Sequence, residues 1–183
     1  MKDRLPPIDD ASLTPAQRAA SDELTAGPRG KLAGPFVPLL RSPELMARVQ
    51  KLGEYLRFES ALPGRVKELA ILVTARHWGQ AYEWSFHLPL ALKAGVTRET
   101  AEAIAEGRRP AEFTVDEAAA YGLLSQMLET RRAGDDAYAE ALAAFGEAGV
   151  VELIAFAGYY GLLAMVMNAA GTPAPDAEIP LKS

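Results

Sequence analysis

"RVKELAILVTARHW" (65–78) runs directly into "GQAYEWSFHLPLALKAG" (79–95), and the reading of these two stretches decides the fold. Neither alternates at period two, and each reads as a helix. Gly79 interrupts the pair, and Gly95 stands where a helix-ending glycine is expected. At about 100° per residue, Gln80, Glu83 and His87 fall on nearly one side of the second helix, and Trp84 shares that side. A carboxylate and an imidazole on an otherwise apolar helix are costly without partners. On the first helix Glu68 shares a stripe with Ile71, Leu72 and Ala75. Antiparallel packing about Gly79 puts Glu68 about 16 Å from the turn and His87 about 12 Å, close enough to meet. A carboxylate beside an imidazole fixes its tautomer and raises its proton affinity.

Plainer readings exist for each residue. Glu83 and His87 make an i, i+4 pair worth a few tenths of a kcal/mol on a half-exposed helix. Glu68 pairs either with Arg65, its i−3 neighbour, or with a site. Pro89 tips the balance toward a site, because it removes the backbone bond to Ser85 and disturbs the turn carrying His87. His77 has no acidic residue at helical spacing and reads as structural or surface.

Working outward, the first 43 residues are rich in Pro and Gly and read as an extension wrapping the body. It holds a short helix near 15–26 and an anchor at Phe36, Val37, Leu39 and Leu40. Ser42-Pro43-Glu44 opens a helix to about Phe58. Thr97 caps a helix to Glu106, and Thr114 to Glu117 forms a capping box opening a helix to about Arg132. Further helices are expected at about 136–147 and 150–169. Residues 44–172 then form one helical domain, with 173–183 an extended tail. The fold class is all-α.

Composition excludes several functions. The chain has 183 residues, a net charge of −5 and no Lys/Arg cluster, which argues against nucleic-acid binding. With no cysteine and two histidines, thiol chemistry is absent and neither a thiolate nor a multi-histidine metal site is expected. The N-terminus shows no signal-peptide pattern, and a cytoplasmic location is expected. The apolar run 153–167 falls short of a bilayer core of about 30 Å and is expected to be buried in protein, not membrane.

The marks "GPFVPLLRSPEL", "GEYLRFESALPGRVKELAILVTARHWG", "YEWSFH" and "ELIAFAGYYGLLAMVMNAAG" together resemble the carboxymuconolactone decarboxylase family, which shares a fold with alkylhydroperoxidase D-like proteins. The resemblance spans about Gly34 to Gly171. In the peroxidase branch the site is a relay of Glu, C-x-x-C and His. The same spacing here holds Glu68, Gln80, Glu83 and His87, so both thiol positions are lost and a disulfide-cycling peroxidase is excluded. The resemblance therefore implies the decarboxylase-type branch, acting without a cofactor or metal on a small carboxylated lactone or aromatic-derived acid. It also implies a homo-oligomer, a trimer or a hexamer, with the site near a subunit contact.

In that frame His87 as imidazolium supplies a proton to the enolate-like carbon left by CO2, Glu68 holds the ring, and Glu83 relays the proton or orients substrate. Gln80, Trp84, Arg65 and Tyr160 are the expected substrate-binding residues, Arg65 either receiving a carboxylate or neutralising Glu68. An isomerase, hydratase or lyase with the same acid/base pair, or a non-catalytic oligomeric binding protein, remain as alternatives.

Overall fold

Proline and capping side chains set where the helices begin. In the computed structural model, which describes residues 2–182, Thr14 and Gln17 form a reciprocal capping box ahead of α1 (Pro15–Ala26), with proline at its start. Next come α2 (Phe36–Leu39) and α3 (Pro43–Glu54), and α3 passes directly into a π-helical turn, Tyr55–Glu59. Then come α4 (Gly64–His77), α5 (Ala81–Ala94), α6 (Arg98–Ala105), α7 (Val115–Thr130) and α8 (Asp135–Ala170). The protein is all-α. The outermost residues of the extension and tail, Met1 and Ser183, lie outside the described residues.

Helix α4 is the hub, packing against α5, α6, α7 and α8. Its residues from Leu69 to Ala75 are all buried, which explains why its apolar positions spread around the cylinder instead of forming one stripe. Gly79, at φ 58°, makes the reversal that lays α5 back along α4. Gly95 closes α5 at φ 103°.

The two expected C-terminal helices are present as two arms of α8, joined end to end at a break in the helical backbone. Gly146, at φ 67° and ψ 177°, is non-helical and separates the two arms. Its second arm exceeds the fifteen-residue apolar run, so the length argument against a membrane span does not hold: α8 is long and apolar enough to cross one. Half of its most apolar window is buried inside the protein, where Leu153, Phe156, Tyr160, Leu163 and Met167 pack in the core.

The extension packs on this body. Helix α1 lies against α3, and α2 against α3 and α8. Phe36, Leu39 and Leu40 are buried while Val37 is half-buried, so three of the four expected anchors are fully used. The tail is extended and crosses α5 and α6. Ile179 is buried, and Lys182 N–H donates to the Ala105 carbonyl.

Candidate active site

Antiparallel packing of α4 on α5 brings Glu68 and His87 together. His87 Nδ1 lies 2.7 Å from Glu68 Oε2, and both side chains are largely buried. The carboxylate selects the tautomer with Nδ1–H donating and leaves Nε2 to exchange a proton. Burial lowers the proton affinity of His87; the Glu68 hydrogen bond and charge oppose this, and the positive charges of Arg57 and Arg29 add to it. The imidazole is therefore held toward its neutral form.

One turn earlier, Glu83 is buried with both carboxylate oxygens lacking a hydrogen-bond partner. Burial pushes its carboxyl well above the usual carboxylate range. An isolated buried carboxyl stays protonated because the ionised form has no compensating contact. A base and an acid thus stand on one face of α5, pushed to their neutral forms by the same desolvation.

Both side chains line a cavity of about 260 Å³. Its wall is aromatic, with Phe36, Phe58, Tyr82, Phe86 and Tyr160, and it carries Arg29, Lys31 and Arg57. The Tyr160 ring meets His87 edge-on at 5.1 Å between centroids, and burial raises its hydroxyl well above the ordinary tyrosine value. Glu68 does not line this cavity itself; it meets His87 from behind and borders a second hollow with Lys67, Lys93 and Arg57.

Of the residues singled out in the sequence, Glu68, Glu83, His87 and Tyr160 converge. Three others sit elsewhere. Gln80 is not on the helical face; it is the N-cap of α5, its Oε1 accepting from the backbone N–H groups of Tyr82 and Glu83 and its Nε2 donating to Asn168 Oδ1 at 3.0 Å. Trp84 faces the core and the tail, its Nε1 donating to the Ile179 carbonyl at 2.6 Å, and it is not among the cavity's lining residues. Arg65 meets neither Glu68 nor the cavity. Its Nη2 donates to both oxygens of Asp116 at 2.9 and 3.0 Å, and its Nε is 3.4 Å from Glu117. The acidic start of α7, brought in by α7 packing on α4, captures it. His77 is exposed, as expected.

The cavity's cations and most of its aromatic wall were not legible in the sequence. Arg29 and Phe36 come from the extension, far from α5 in the chain, and Arg57 and Phe58 come from the π-helical turn. The "YLRFE" run carries a signal only in retrospect, since a π-turn at the end of a helix often marks a functional site.

Residues 43–126 match the model of the carboxymuconolactone decarboxylase family. This helical region is a carboxymuconolactone decarboxylase family domain. It contains Glu68, Glu83 and His87, whereas Arg29 and Tyr160 lie outside it. A solved structure similar to the chain is a protein of unknown function from Agrobacterium tumefaciens, proposed as the antioxidant defence protein AhpD. It matches with a TM-score of 0.67 and 21% identity over 75% of this chain and 95% of that one. At that identity the likeness shows the fold alone. No curated protein is significantly similar to this chain.

Proposed function

We propose that the protein is a cofactor-independent acid/base enzyme, a decarboxylase of a small carboxylated lactone or aromatic-derived acid. The observation that carries this is a buried Glu83 carboxyl without a hydrogen-bond partner and a Glu68-oriented His87 lining one cavity. The family domain supports the reaction class. The positions equivalent to the peroxidase thiols hold Gln80 and Glu83, which cannot cycle a disulfide.

In the proposed reaction the C–C bond to the carboxylate breaks, CO2 leaves, and the electron pair passes into a conjugated carbonyl. The Glu83 carboxyl hydrogen-bonds the oxygen that gains charge and delivers the proton to the enolate carbon. The donor role expected of His87 thus moves to Glu83, because burial disfavours the imidazolium. His87 Nε2, steadied by Glu68, takes up a proton from solvent and returns it to Glu83. Acid/base assistance of this kind is worth about 10²–10⁴ in rate. A cytoplasmic, homo-oligomeric enzyme is part of the same proposal, on the family resemblance.

The test is incubation with a panel of carboxylated lactones and aromatic-derived acids, read by mass spectrometry. Loss of the mass of CO2, abolished in Glu83→Gln and His87→Ala, is expected. Conversion without mass change would replace decarboxylation by isomerisation. Tight binding with no product would leave a binding protein.

A further inference from the structure

Two guanidinium groups line the cavity, and neither forms a salt bridge with any described residue. Arg57 lies over aromatic faces, its Cζ 5.3 Å from the Phe58 ring centroid and 5.9 Å from that of Phe86. Arg29 precedes α2, with its Cζ 4.6 Å from the Phe36 centroid. Its Nη2 donates to Tyr159 Oη at 3.2 Å, and its Nε is buried without a hydrogen-bond partner.

The Arg29 contact has a place built for it. Gly53 in α3 leaves the space it fills, since a Cβ there would collide with both Tyr159 Oη and Arg29 Nη2. The extension, α3 and α8 therefore hold one guanidinium at the cavity. Aromatic stacking suits a guanidinium but does not neutralise it. A half-buried cation with an unpaired donor and no carboxylate in salt-bridge contact lacks an anion.

We propose that Arg29, with Arg57 as second cation, receives a carboxylate of the ligand, so that the N-terminal extension determines specificity in this site. The flat aromatic walls from Phe36, Phe58, Tyr82 and Phe86 favour a planar conjugated carboxylate between the two cations. Arg29 lies outside the matched family region, so this element belongs to the extension and not to the family domain. The inference rests on the acid/base reading only for which cavity holds the ligand.

The experiment is calorimetric titration of the full chain with two acid–amide pairs, benzoate against benzamide and 2-furoate against 2-furamide. Charge-assisted two-pronged contacts favour the acids. Wild type is expected to bind each acid at least about tenfold more tightly than its amide. Arg29→Gln and Arg57→Gln should each reduce that preference several-fold, and Arg29→Lys should recover only part of it. Tyr159→Phe, which keeps the packing and removes the hydroxyl, should weaken the acids and spare the amides. Equal binding of acid and amide by wild type, no binding of either acid, or a full preference surviving in both glutamine variants would overturn the proposal. Wild-type protein that shows the preference yet transforms no member of the acid panel would support the carboxylate receiver and refute the acid/base function.

Discussion

His87 Nδ1 stands 2.7 Å from Glu68 Oε2 across the α4–α5 contact, with the imidazole 5% and the carboxylate 15% exposed. The two residues are 19 positions apart, and only the reversal at Gly79 makes them neighbours. A contact this short between largely buried groups does more than bind the helices, because it decides which ring nitrogen carries the proton.

Glu68→Gln keeps the size of that partner but offers the ring an amide, which no longer selects Nδ1–H. Turnover of a decarboxylated substrate is expected to fall by about 10²-fold or more, within the range of acid/base effects. KM should change little. A Glu68→Gln protein that melts earlier but turns over normally would reduce Glu68 to a structural partner.

The titration of His87 can be read without any substrate. Its folded proton affinity lies below the ordinary histidine value, with burial the main cause. The unfolded chain therefore binds more protons between the lowered folded value and the ordinary one near 6.5. Stability from this group is complete above the ordinary value and is lost as pH falls toward the folded one. NMR should show the His87 ring titrating below 6.5, with His77→Gln assigning the two histidine signals. A midpoint above 6.5 would mean that Glu68 outweighs burial and would restore the imidazolium as proton donor.

For Glu83 the sign is opposite. Its folded value is raised by burial, so the native state holds a proton that the unfolded chain has already lost. The stability this group contributes is present below the ordinary carboxylate value and declines as pH rises through the folded one. Glu83→Gln mimics the protonated form and cannot ionise. The variant is expected to be more stable than wild type at neutral pH, by about 1 kcal/mol or more in urea unfolding, with the gap closing toward acid pH. Activity should be lost in the same variant, since an amide cannot donate the proton to carbon.

A fourth measurement concerns the tail. Trp84 Nε1 donates to the Ile179 carbonyl, and Ser85 Oγ donates to the Pro175 carbonyl at 2.8 Å. The tail thereby straps the turn of α5 that bears Glu83 and His87. Trp84→Phe strands a buried carbonyl and is expected to cost about 1–3 kcal/mol in urea unfolding. Unchanged stability would mean that the strap contributes nothing.

Gly53→Ala tests the seat of Arg29. The added methyl would meet Tyr159 Oη and Arg29 Nη2, and overpacking of this kind costs about 1–3 kcal/mol. Thermal unfolding should show the loss, and the acid-over-amide preference should weaken with it. Wild-type values for both would show that the space is not needed.

Local rules wrote much of this protein into its sequence. The capping box at Thr114, proline at the start of α3, and glycine at 79 and 95 act within a few residues of themselves, so those helices could be read directly. The Glu68–His87 meeting was legible too, because a tight turn between two helices leaves only one antiparallel partner for each rise. Tertiary structure alone decided the rest. Arg65 was lost to Asp116 and Glu117, 51 and 52 positions away, Trp84 turned to the tail, and Gln80 became a cap. Arg29 and Arg57 reached the cavity from segments whose helical periodicity says nothing about α5. Hydrogen-bond rules along one helix are short-ranged, whereas which charges face one another depends on how separate helices pack, and no local pattern encodes that.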